Sequence, residues 1–256
     1  PFPFHLIPAF LTIILLIVWI LRWMNDPAPT PESPGMPVIF RIARLSNLIP
    51  CFLGYWFFPH YKLDLRLLVA LVTAAILVEL TTWVAYEAFD VSNLYILLHI
   101  YTIVEFGLLM LIFTIWHKGH RSRNFVAFAG PVMLILLITG KIVEERGSLP
   151  SSFDSFATTL EGIVLVSVAV LTLIYLTSED IIHIFEDPRF WIVCAIMMYF
   201  AGNLIVFALG EKVLGVLQTE ASSITWTMHS VLNITANTLY AYAFYLRYKQ
   251  AMVRPR

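Results

Sequence analysis

Charge is scarce in this chain, and cysteine is scarcer. Only 13% of the 256 residues are Asp, Glu, Lys or Arg, and the formal net charge is -1. Without a basic surplus there is no electrostatic footprint for nucleic acid, and that class of partner is excluded. Cys51 and Cys194 both sit in apolar runs and make no disulfide framework. Catalytic signatures are missing as well: the chain has no HExxH, GxSxG or CxxC, no phosphate-cradling loop and no ExxH pair of the di-iron kind. Its last apolar run lacks the lysine that a retinal Schiff base needs. No basic segment and small-residue cleavage site frame the first apolar run, which therefore does not read as a signal peptide.

What is abundant is hydrocarbon. Hydrophobic residues make up 59% of the chain, in long runs that recur almost end to end. A membrane-crossing helix needs about 20 such residues. The runs predict an all-α, polytopic transmembrane bundle of about eight spans, at 4–23, 39–58, 65–89, 93–116, 125–142, 155–177, 188–209 and 223–245. The second is interrupted by Pro50 and preceded by Arg41 and Arg44, so it reads as an interfacial turn that crosses from about Asn47. NDPAPTPESPGMP after the first run is neither helix nor strand but an extended tether. The predicted organisation is a separate N-terminal transmembrane helix (1–24), a Pro-rich linker (25–37) and a seven-helix bundle (38–256).

Basic residues orient the bundle. Lys62, Arg66, Lys118, Arg121, Arg123, Arg189, Arg247, Lys249, Arg254 and Arg256 fall at one end, against Arg22, Arg41, Arg44, Lys141, Arg146 and Lys212 at the other. The heavier set places the C-terminus in the cytoplasm, with the chain in a bacterial inner membrane.

Ionisable groups inside a span are expensive, so each one needs a reason. His229, Asn233 and Asn237 recur at i, i+4 and i+8 and form one polar stripe. His99, Glu161 and His229 each lie about six residues into their helices, roughly 9 Å deep, and Asn203 reaches a similar depth from the opposite direction. Glu79, Glu105 and Asn233 fall nearer the midplane. These positions predict a ligand site of His99, Glu105, Glu161, Asn203, His229 and Asn233, with Glu79 and Glu105 as candidate proton or ion carriers. The plainer alternative is interhelical glue, in which each polar pair contributes about 1 kcal/mol or less. His99 and His229 at one depth also form a conceivable haem or metal ligand pair. No ligand-spacing motif accompanies them, so the expectation is no metal and no cofactor.

The segments SNLIPCFLGYWFF and LDLRLL, then HIYTIVEFGLL, DPRFWIVCAIMMYFAGNLIVFAL and HSVLNITANTLYAYAF, resemble the uncharacterised heptahelical, sensor-like membrane proteins of Bacteroidetes-type bacteria, from about Leu45 onward. The resemblance implies a bundle of about seven helices with a sensory or accessory role, and it names no ligand. Three functions are therefore expected: a non-enzymatic, receptor-like module with a polar outer-half pocket, an accessory subunit of a larger membrane complex, or a proton- or ion-coupled transporter. The expected partners are membrane lipids and other membrane subunits, the latter through helix 1–24.

Overall fold

A computed structural model of the chain describes residues 38–89, 95–119, 122–147, 155–179, 183–214 and 220–253, together with 7, 8 and 14. The tether and nearly all of the first apolar run lie outside the described residues. The chain forms α1 (Val38–Ser46), α2 (Leu48–Trp56), α3 (Leu63–Phe89), α4 (Tyr95–Trp116), α5 (Ser122–Gly147), α6 (Ser155–Glu179), α7 (Pro188–Leu214) and α8 (Glu220–Val253). Single 3-10 turns at Phe58–His60 and Ile184–Glu186 join α2 to α3 and α6 to α7. Among the described residues there is no strand.

Among the described residues, five segments are long and apolar enough to cross a membrane: Val38–Trp56, Leu97–Trp116, Ser122–Thr139, Thr159–Glu179 and Pro188–Val206. They coincide with five of the eight expected runs. Of the other three, the first lies outside the described residues apart from 7, 8 and 14. The remaining two fall on α3 and α8, whose 27 and 34 residues span about 40 and 50 Å at 1.5 Å per residue. Length alone would carry either across about 30 Å of hydrocarbon.

The second run changes at Asn47, where the sequence put the start of its crossing: α1 and α2 meet there, and by length and composition Val38–Trp56 is one candidate span. Pro50 sits in the first turn of α2, where its missing N–H costs little, so the break is tolerated. Ser46, buried at the end of α1, donates its hydroxyl to the Ala43 carbonyl at 2.6 Å.

The helices pack mainly as sequential neighbours, α2 on α3, α3 on α4, α4 on α5, α6 on α7 and α7 on α8, and α4 also reaches α6. The seam between α7 and α8 is the most extensive, and α8 returns to both α1 and α2, closing the ring. Gly202 makes the α7–α8 approach possible: a Cβ there would lie 2.5 Å from Leu232 Cδ1.

One end of the bundle gathers the α2–α3, α4–α5 and α6–α7 turns and the C-terminal part of α8. Here Trp116 Nε1 donates to Asp64 Oδ2 at 2.8 Å, the Tyr61 hydroxyl donates to the Phe244 carbonyl at 3.3 Å, and Phe57 stacks on Tyr248 with ring centroids 4.0 Å apart. Trp116 and Trp191 each tie two elements together at this end, Trp191 through its Nε1 and the Phe185 carbonyl. Exposed Lys62, Arg66, Lys118, Arg123 and Lys249 share this end. The positive-inside rule then gives a direct expectation. A cysteine at Ser151 should react with an impermeant maleimide from the outer face of the membrane, and one at Lys249 only after the inner face is opened. Labelling of the position 151 cysteine only from the cytoplasmic side would reverse the topology.

Candidate functional site

Asn203 is the buried polar residue of α7, and helical spacing puts Tyr199 one turn away on the same face. The Asn203 amide is a close neighbour of the Tyr199 phenol. The Asn203 amide oxygen accepts from His229 Nδ1 of α8 at 2.9 Å. An amide oxygen has no proton to give, so Nδ1 is the protonated ring nitrogen in this arrangement. The His229 ring lies 5.8 Å from that of Tyr199. The α7–α8 seam thus carries a polar trio over the close approach that Gly202 allows.

Tyr199 is also the hub for the acidic residues. Glu105 on α4, Glu161 on α6 and Tyr240 of α8 all lie within electrostatic reach of its hydroxyl. Tyr101, one turn from Glu105, donates its hydroxyl to Glu105 Oε1 at 3.2 Å and lies in the same electrostatic environment as Tyr199 and Tyr240. Glu161 is 2% exposed. Four helices therefore bring two carboxylates, three phenols, one imidazole and one amide into a single interior cluster. Along these four helices the Lys and Arg residues, Arg189, Lys212, Arg247 and Lys249, all stand near helix ends.

The cluster is closed on the side of the basic end. Between Glu105 and His117 on α4 lie Leu109 and Phe113, each 0% exposed. Leu165 and Val168 on α6, Ile192 and Ile196 on α7, and Ala243 and Phe244 on α8 continue the same layer at 0–1% exposure. From Glu161 to Thr172, eleven residues along α6, the layer is about 16 Å thick. Interiors of this kind generally pack to crystal-like density.

Glu105, Glu161, Asn203 and His229 of the predicted site converge on Tyr199 or on each other. His99 lies six residues before Glu105 on α4, which places it about 120° around the helix from that carboxylate, and it is half-buried. Asn233 accepts at Oδ1 from Asn237 Nδ2 at 2.7 Å. Asn237 also donates to Ser46 Oγ at 2.8 Å. The lower part of the α8 stripe therefore joins α8 to α1, as glue would. Glu79 pairs with Arg44 Nε at 2.7 Å and links α3 to α1. Among the described residues, no group of three or more His, Cys, Asp or Glu side chains could hold a metal ion.

Comparison of the chain with family models, curated proteins and solved structures finds no match.

Sequence reasoning did not single out the three phenols. Tyr101 in HIYTIVE and Tyr199 in YFAGN each stand one helical turn from a polar residue already chosen, which is the signal that finds them. Tyr240 stands one turn after Asn237 of the α8 stripe and carries the same mark.

Proposed function

We propose that this integral membrane protein is a non-enzymatic, receptor-like module whose interior cluster around Tyr199 binds a small ligand entering from the side opposite the basic end. The observation that carries this reading is the buried apolar layer beneath the cluster. A transporter must open its site to both sides in turn, whereas about 16 Å of buried apolar side chains separate this cluster from the basic end. The convergence of polar groups from four helices supports recognition over glue, which needs only pairs. The reading requires no cofactor. It agrees with the heptahelical sensor-like resemblance, with the full count of about eight spans, and with a bacterial inner membrane and a cytoplasmic C-terminus.

A second reading, an accessory subunit, is favoured by the Pro-rich tether between the first apolar run and α1, which would let helix 1–24 pack on a neighbour. One experiment separates the two. The protein is extracted in mild detergent and examined by native mass spectrometry, alongside Tyr199→Phe and Glu161→Gln. The receptor reading expects a bound small molecule on the single chain and a several-fold loss of that species in both variants. A bare chain with identical variants overturns it. Stoichiometric recovery with other membrane subunits favours the accessory role instead.

A further inference from the structure

The basic end carries charge that the bundle does not neutralise. Lys62 immediately precedes α3, and Arg66 follows one turn later. The Arg66 amide donates to the Lys62 carbonyl at 3.1 Å, so the helical turn already includes both and their side chains share a face. Both are exposed. Among the described residues, neither is paired with a carboxylate. The acid of this turn, Asp64, stands about 200° around the helix from each of them. It accepts from Trp116 Nε1 of α4 instead. The turn is therefore divided by charge, with its carboxylate toward the bundle and its two cations facing out.

Arg66 is also held in place. Its guanidinium carbon lies 5.2 Å from the centroid of the Phe58 ring, in the 3-10 turn that joins α2 to α3. Contact with the ring face leaves the N–H edge of the guanidinium open, and that planar fork matches two oxygens of a phosphate.

The surface of α3 beyond Arg66 selects a lipid over a free anion. Ala70, Ala74 and Leu77 follow at i+4, i+8 and i+11 and continue one face of the helix. Ala70 and Leu77 are exposed and Ala74 is half-buried. The two short side chains leave a shallow apolar lane. From Arg66 to Leu77 it runs about 16 Å, the depth of one leaflet of a hydrocarbon core about 30 Å thick. Trp56 at the end of α2 and Leu63 at the start of α3, 45% and 62% exposed, mark the interface beside the charges. We propose that Lys62 and Arg66 bind the phosphate of an anionic phospholipid in the leaflet at the basic end, with an acyl chain lying along Ala70, Ala74 and Leu77. A zwitterionic headgroup would bring its own ammonium against two cations, whereas an anionic lipid neutralises them.

The test uses the full chain in mild detergent and native mass spectrometry, with phosphatidylglycerol or phosphatidylcholine of identical acyl chains added. The parent should retain one phosphatidylglycerol several-fold more often than one phosphatidylcholine. Lys62→Gln and Arg66→Gln should each lower that retention several-fold. Ala70→Phe, which fills the lane and keeps both cations, should lower it as well. Arg123→Gln, which removes an exposed cation of the same end from α5, should leave it unchanged. Phosphatidylglycerol should also raise the melting temperature of the parent, while inorganic phosphate at the same concentration should not. Should Arg66→Gln elute aggregated, Lys62→Gln carries the same comparison. Equal retention of the two lipids, an equal loss in Arg123→Gln, full retention in Ala70→Phe, or equal stabilisation by inorganic phosphate would each overturn the lipid site.

Discussion

Replacing Gly202 with leucine will push α7 away from α8. Even a bare Cβ at this position would stand 2.5 and 2.6 Å from the two terminal methyls of Leu232. Those methyls are the mobile end of a side chain, so alanine can be accommodated by a rotamer change. Leucine adds three more carbons to a filled space, and overpacking of this kind costs about 1–3 kcal/mol. The strain falls on the most extensive seam of the bundle, beside the Asn203–His229 bond, so the polar cluster should be disturbed as well. In detergent, Gly202→Leu should lose its monodisperse form at a temperature several degrees lower than the parent. Adding Leu232→Ala should restore most of the loss by vacating the volume. If Gly202→Leu is as stable as the parent, α7 and α8 do not approach through this glycine.

Arg44→Leu is expected to be nearly as damaging, for an electrostatic reason. Arg44 and Glu79 stand 2.7 Å apart with their side chains 40% and 30% exposed. In water such a pair would contribute at most about 1 kcal/mol. Both residues, however, lie well inside helices read as crossing the bilayer, where a lone charge costs about 2.5–3.5 kcal/mol on insertion scales. Removing the guanidinium leaves the carboxylate to bear that cost or to take up a proton. Arg44→Leu should therefore destabilise strongly, Glu79→Gln less, and Arg44→Leu with Glu79→Leu least of all. A thermal-stability double-mutant cycle measures the coupling. Additive losses would show that the two side chains do not hold each other in the membrane.

Much of this architecture is legible in the sequence because lipid imposes a simple rule. Apolar runs must be helical, and the five clearest of them are. Glu105, Glu161, Asn203 and His229 stood out for the same reason, since hydrocarbon makes an interior polar group conspicuous. Tyrosine breaks the rule. Its ring suits a lipid belt, a core or a polar site equally well, so Tyr199, the hub of the cluster, was invisible beside the more costly groups. Arg44 was read as an orienting charge, because no local pattern connects it to a carboxylate 35 positions later. Arg66 was read the same way, because nothing in the sequence shows which ring it rests on. The α8 stripe was visible as a period, but its partners were not: one end meets α7, and the other meets a serine at the far end of the chain.

That serine sets the order in which the protein can be made. Ser46 and Asn237 are 191 positions apart, and Tyr61 reaches Phe244 across 183. At translation rates of about 5–20 residues per second, α1 and α2 wait roughly 10–40 s after synthesis before their last neighbour arrives. During that interval the nascent bundle has an unsealed flank, with the Ser46 hydroxyl beside an empty berth. The final helix serves as a keystone, and a ribosome that stalls before it leaves an open ring for quality control to detect.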